Sequence, residues 1–162
     1  MTKTESTQSI KTIARNKKVF FNYFVEEKHE AGIVLTGSEV KSLRLGKASI
    51  DEAFVSIDDA GRLILKNAQI AEYPNAVHFG HEARRNRFLL MHKNEINRLA
   101  ASVNRKGWTI MPLELYFSGK RVKCRIGLCC GKKQHDKRDV LRDRDVKKQM
   151  DHVQKKFNAR GG

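Results

Sequence analysis

Cysteine is scarce: the 162-residue chain has three, Cys124, Cys129 and Cys130. No pair has CxxC spacing and the number is odd, which argues for reduced thiols in a cytosol-like compartment rather than a disulfide framework. Paired ligands of the structural-zinc kind are missing too. His78 and His81 form an isolated HxxH and read as surface histidines of a basic loop, so no metal and no cofactor are expected. Long apolar runs are absent. No stretch reaches the length of a membrane span, and Met1 to Ile13 is rich in Thr, Ser and Lys with no apolar signal-peptide core. A soluble, cytoplasmic protein is the expectation. Walker A, GxGxxG and GxSxG motifs are absent as well, which removes common signposts of enzyme chemistry.

Acidic residues are the other shortage. Eighteen Asp+Glu against 33 Lys+Arg leave a formal net charge of +15 and a pI near 10.0. That surplus is the electrostatic footprint of a nucleic-acid binder; a solubilising surface and an anionic-membrane binder are the rivals. The charge is spread. Residues 131–162 hold 11 Lys+Arg and 5 Asp+Glu, and the residues before them are basic as well. A neutral body with an adhesive tail is therefore excluded. At 40% hydrophobic residues the chain can fill one modest core and one domain.

Periodicity and punctuation predict a mainly β body with peripheral helices. Residues 1–12 read as a disordered leader. Lys18 to Glu27, rich in Phe, Tyr and Val, reads as a strand, and a short polar turn separates it from a second over Ala31–Leu35. Thr36-Gly37-Ser38-Glu39 fits a capping box opening a helix that stops at Gly46, with Lys41 and Arg44 on one face. Ala53–Ile57 and Leu63–Leu65 predict a hairpin, and Phe88–Met91 a short strand. Ile96, Leu99, Ala100 and Val103 place a second helix over about Lys93–Lys106. Trp108–Phe117 and Arg121–Cys130 flank Ser118-Gly119-Lys120 as a last hairpin. On its second strand Val122, Cys124, Ile126, Leu128 and Cys130 should face the core, and Lys123, Arg125, Gly127 and Cys129 the other side. An OB-like antiparallel β-barrel over residues 13–130 follows, with a split α+β sandwich as the alternative.

Phosphate contacts need Lys, Arg and backbone N–H groups on a positive face. Candidates are Lys41, Arg44 and Lys47, then Arg84, Arg85 and Arg87, then Lys123 and Arg125. Phe20, Phe21, Tyr23, Phe24 and Phe54 read mostly as core, which favours structured RNA over single-strand stacking. Residues 131–162 form a basic C-terminal tail. Lys132 to Arg138 has no apolar residue. Beyond it Val146, Met150, Val153 and Phe157 line one helix face, and Lys147, Lys148, Lys155, Lys156 and Arg160 crowd the others. Such a helix is marginal alone and is stabilised in an anionic groove. A helix packed back on the barrel and a membrane-surface helix are the alternatives. His135 beside Asp136 raises the option of a ribonuclease, but sequence neighbours do not aim at one reacting atom, and no enzyme is expected.

Five segments carry a resemblance: IARNKK (Ile13–Lys18), EAG (Glu30–Gly32), TGSEVKSLRLGKASI (Thr36–Ile50), VNRKGWTIMPLELYF (Val103–Phe117) and GKKQHDKR (Gly131–Arg138). In matching order over about residues 13–138 the chain is similar to the bacterial SsrA-binding proteins, also called small protein B. The resemblance implies an OB-like barrel that binds the tRNA-like domain of transfer-messenger RNA (tmRNA) and delivers it to stalled ribosomes for trans-translation. The barrel would replace the missing anticodon half of a tRNA. The tail, unstructured in solution, would enter the empty mRNA channel by the decoding centre and small-subunit rRNA and become helical there.

By motif, Glu30, Leu90, His92 and Lys123 are expected to bind tmRNA; Lys41, Arg44 and Arg125 join them from the charge reading. His92 stands where the family commonly has Asn. Phe21 stands where it often has His and takes no role. Gly131, Lys132, Lys133, His135, Asp136, Lys137 and Arg138, with Val153 further on, are expected to form the ribosome-contacting tail. The segment GKKQHDKRD (Gly131–Asp139) then reads as a hinge: its cations meet rRNA phosphates, His135 stacks on a base, and Asp136 orders the cations or starts the tail helix. A general ribosome-associated or single-strand OB-fold binder is the alternative. No dimer seam is visible, so a monomer without a membrane partner is expected.

Overall fold

The computed structural model describes residues 9–74, 80–105, 107–132 and 134–160, the side chains of 134–141 and 157–160 excepted. The elements run β1 (Ile10–Arg15), α1 (Lys17–Asn22), β2 (Tyr23–Ile33), α2 (Gly37–Arg44), β3 (Ala48–Ser49), β4 (Phe54–Ile57) and β5 (Leu63–Lys66). They continue with β6 (Gln69–Ile70), β7 (Arg87–Leu90), α3 (Lys93–Val103), β8 (Trp108–Ser118), β9 (Arg121–Gly131) and α4 (Gln134–Arg160). Every pairing in the main sheet is antiparallel. The β8–β9 pairing closes the order β8-β4-β5-β7-β2-β9 into a barrel, and β1 lies along the C-terminal half of β8. Closure pairs the barrel strands on both sides and leaves β1 as the edge strand.

Alternating side chains fill the barrel: Leu63, Leu65, Ile110, Leu115, Cys124 and Ile126 are buried together, and Leu43 of α2 with Ile96 and Leu99 of α3 pack on the same core. Each such aliphatic burial stabilises the fold by about 1.5–3 kcal/mol. The β8–β9 turn has two residues, Ser118 pairing with Arg121. Gly119 at its first position has φ +61°, the left-handed backbone that a II′ hairpin requires there.

The N-terminal part differs from the sequence reading. β1 begins at Ile10, inside the stretch expected to be a disordered leader; residues 1–8 lie outside the described ones. Lys18–Asn22 is helix rather than strand. Asn16 caps α1, its Oδ1 accepting from the Val19 N–H at 3.3 Å, while its Nδ2 donates to the Ile50 carbonyl at 3.0 Å. Val19 then packs on Leu113 and Cys129 in a second small core. Helix α1 thus covers the outer face of β9 near its end. That is why Cys129, expected to face out, is buried; Cys130, expected in the core, is half-exposed at the end of the strand. Phe20, Phe24 and Phe54 are not core: they are exposed. β2 runs unbroken through the polar turn expected before Ala31.

The capping box is not formed as read. Thr36 makes no side-chain cap bond, and Glu39 turns inward. Glu39 and Arg87 are both 0% exposed. Arg87 Nε lies 3.1 Å from Glu39 Oε2 and Arg85 Nε 2.7 Å from Oε1. Arg87 Nη1 also donates to the Ala68 carbonyl at 2.8 Å. Burial alone would raise the Glu39 pKa; the two guanidinium groups outweigh it and hold the carboxyl below its ordinary value. Both guanidinium groups therefore serve the fold through Glu39, and Arg87, fully enclosed, is withdrawn from phosphate. His81 is no surface residue either: it is buried, with Nδ1 2.8 Å from Ser38 Oγ and Nε2 3.1 Å from the Ile70 carbonyl. His78 lies outside the described residues.

At the other end, Gly131 closes β9, and Lys132 is tied to α1 through its N–H to the Asn22 carbonyl at 2.9 Å and its Nζ to the Phe20 carbonyl at 3.0 Å. Both residues, expected in the tail, are anchored to the barrel. On α4 the apolar stripe stays open, with Val146, Met150 and Val153 exposed, so those residues do not pack back on the barrel. No described helix is long and apolar enough to cross a membrane.

Candidate nucleic-acid interface

Residues two apart on a strand share a face. On β9 this couples Lys123 with Arg125. Across the register Lys123 stands opposite Tyr116 of β8 and Gly32 of β2, and Arg125 opposite Glu114 and Glu30. The side chains meet accordingly. Lys123 Nζ lies 2.6 Å from Glu30 Oε1, and the Tyr116 hydroxyl donates to the other Glu30 oxygen. Arg125 Nη1 donates to Glu114 Oε2 at 3.0 Å, and its guanidinium lies 5.1 Å from the centre of the Tyr116 ring. Glu114 also accepts from Thr12 Oγ1 at 2.5 Å, with Arg15 Nε at 3.6 Å.

The electrostatics are mutually consistent. The bonds from Lys123 and from Tyr116 hold the Glu30 carboxyl below its ordinary range. Burial, then the bond to Glu30, pushes the Tyr116 hydroxyl up, so it stays a donor at neutral pH. Glu30 is thereby a fixed anion that aims the Lys123 ammonium.

Leu90 extends the row. It is 61% exposed and stands opposite Gly32 across β7–β2. A Cβ at Gly32 would sit 3.4 Å from Leu90 Cβ, ordinary van der Waals contact, so Leu90 lies directly against β2. Leu90, Gly32 and Lys123 thus form one line across three strands, beside Glu30 and Arg125. His92, two residues on, is the exposed N-cap of α3; its carbonyl accepts the Ile96 N–H at 3.1 Å, while its ring makes no hydrogen bond among the described residues. Cations here can meet phosphate, Leu90 a sugar or base face, and Glu30 an amino group or 2′-hydroxyl.

Four of the seven expected tmRNA residues therefore share the row, and His92 follows Leu90 by two positions. Lys41 and Arg44 are not in the row. They sit on α2, Lys41 with its Nζ 5.5 Å from the Tyr73 ring centre and Arg44 beside the β8–β9 turn. Tyr116 and Glu114 were missed by sequence reasoning. Counting the hairpin with a two-residue turn puts Tyr116 opposite Lys123; a three-residue turn slips the register by one and hides it. Also missed is an aromatic pair at the root of the tail, where Lys28 lies 5.9 Å from the exposed Phe20 ring and Lys132 4.8 Å from that of Phe24.

Of the tail residues, Lys133 lies outside the described ones. His135, Asp136, Lys137 and Arg138 fall in the first turns of α4, and Val153 is exposed on it.

Comparison with known proteins agrees across most of the chain. The family model SmpB, described as SmpB protein, matches residues 13–156. An SsrA-binding protein of Sphingomonas elodea is 47% identical over 145 residues, covering 89% of this chain and 90% of its own. One of Treponema denticola is 48% identical over 152 residues, covering 94% and 96%. A solved chain from "tmRNA-SmpB: a journey to the center of the bacterial ribosome" superposes with a TM-score of 0.61 at 37% identity, over 85% of this chain and 96% of that one. The motifs, the closed barrel with its basic helix, and these matches together place the chain in the SmpB family of SsrA-binding proteins.

Proposed function

We propose that this chain is an RNA-binding adaptor that holds the tRNA-like domain of tmRNA on its barrel and delivers it to stalled ribosomes for trans-translation. The observation that carries this reading is the row of Leu90, Glu30, Lys123 and Arg125, which offers cations, an apolar contact and a fixed acceptor on one side of a rigid sheet. Membership of a family whose relatives are SsrA-binding proteins supports the same ligand, and the solved relative pairs SmpB with tmRNA and the bacterial ribosome. In this reading the barrel stands in for the anticodon half of a tRNA. The 27-residue helix α4, basic and open along its described length, suits the RNA-lined mRNA channel. The chain acts as a monomeric binder in the cytoplasm and not as an enzyme.

The test titrates the full chain, and a chain ending at Lys132, with the tRNA-like domain of tmRNA and with a length-matched single strand. Both proteins should prefer the tRNA-like RNA, and the RNA should be recovered intact. Equal binding of the single strand, or loss of binding with the tail removed, overturns the adaptor reading; cleaved RNA overturns the non-enzymatic one.

A further inference from the structure

Around the tip of the β8–β9 hairpin, Ser9, Lys11, Arg44, Phe117, Gly119 and Lys120 line a surface cavity of about 310 Å³. Three elements supply its cations: β1 gives Lys11, α2 gives Arg44 and the hairpin turn gives Lys120. Among the described residues none of these three side chains has a hydrogen-bond or ion-pair partner. The contrast with the neighbouring row is sharp, since Lys123 and Arg125 each hold a carboxylate. Three like charges facing one cavity repel each other, and a bound anion relieves that repulsion.

We propose that this cavity takes a backbone phosphate of the same RNA strand that crosses the Glu30–Lys123 row. The proposal rests on the RNA-binding reading above. The shape suits the ligand: Gly119 brings no side chain to the rim, so a phosphate approaches the turn backbone, and the Ser9 hydroxyl supplies a neutral donor beside the cations. Lys120, in the turn, is three residues from Lys123, at most about 10 Å along the chain, while Lys11 and its register partner Phe117 lie on the face turned away from Tyr116 and Lys123. One nucleic-acid strand passing over the end of the hairpin therefore reaches both places. A guanidinium with two ammonium groups matches the oxygens of a phosphate and carries no base specificity.

The test uses the full chain and a triple variant, Lys11→Gln, Arg44→Gln and Lys120→Gln, titrated with the tRNA-like domain of tmRNA over a salt series. Each lost phosphate contact lowers the slope of log K against log salt by about 0.7–0.9. The triple variant should lose at least one such step and bind about tenfold more weakly at low salt, while Lys66→Gln, on β5, changes neither. The three single variants carry the comparison if the triple variant does not fold. An unchanged slope overturns the proposal. A parallel arm follows inorganic diphosphate by phosphorus NMR: diphosphate bound by the parent together with an unchanged RNA slope marks a free-anion site and also overturns it. The two readings fail separately. If the parent binds a single strand as well as the tRNA-like RNA, the adaptor function falls, yet the slope comparison still decides the cavity.

Discussion

Arg87 is enclosed completely, and its charge is tolerated because Glu39 faces it at 3.1 Å. Glu39→Ala leaves that guanidinium buried and unpaired, which costs about 3–5 kcal/mol; thermal or denaturant unfolding measures it. The pH sign follows from the lowered Glu39 pKa. Its contribution is fully present above the ordinary carboxylate value and is lost as pH falls through the lower, folded one. Stability should therefore hold from neutral pH to about 5 and drop below that, and an acid titration of the unfolding midpoint checks it. The thiols give an independent reading. Burial pushes the Cys124 pKa up to about 12 and that of Cys129 up to about 11, while Cys130 is half-exposed. A maleimide at neutral pH should label Cys130 in the folded chain and all three cysteines after denaturation, and Cys130→Ser should abolish native labelling.

At the scale of elements, β9 is packed from both sides near its end. A Cβ at Gly127 would meet Leu113 Cδ1 and Val25 Cγ1 at 3.0 Å each. Gly127→Ala should overpack this small core and destabilise the fold by about 1–3 kcal/mol, as chemical denaturation will report. For α4, Asp136 lies in the first turn, where a carboxylate favours the helix by about 0.3–1 kcal/mol. Asp136→Asn should lower tagging of nascent chains on stalled ribosomes while leaving binding of the tRNA-like RNA unchanged; unaltered tagging removes the role given to this residue.

The same scale shows what could be read from sequence. Helices α2 and α3 and the β8–β9 hairpin were legible because their apolar periods are bounded by Thr36, Gly46, Gly107 and Gly119. Helix α1 was not, because Val, Phe and Tyr are strand formers and the force that wins is tertiary: Val19 buried against Leu113 and Cys129. Charge singled out Lys123 and Arg125, which the structure sets two apart on β9. It could not separate them from Arg87, whose partner lies 48 residues away.

For the whole molecule, the consequence of interest lies in β9. Hydrogen bonds hold it on both edges, to β2 and to β8, and it carries Lys123 near one end and Gly131 at the other. A strand clamped this way does not stretch, and slipping it by one residue would turn every side chain to the wrong face. From Lys123 to Gly131 the chain therefore covers a set length, about 26 Å at the rise of a strand, before α4 adds up to about 40 Å. The molecule works as a gauge block: whatever sits on the Lys123 end fixes how far away the basic helix can begin, and the span is written in backbone hydrogen bonds.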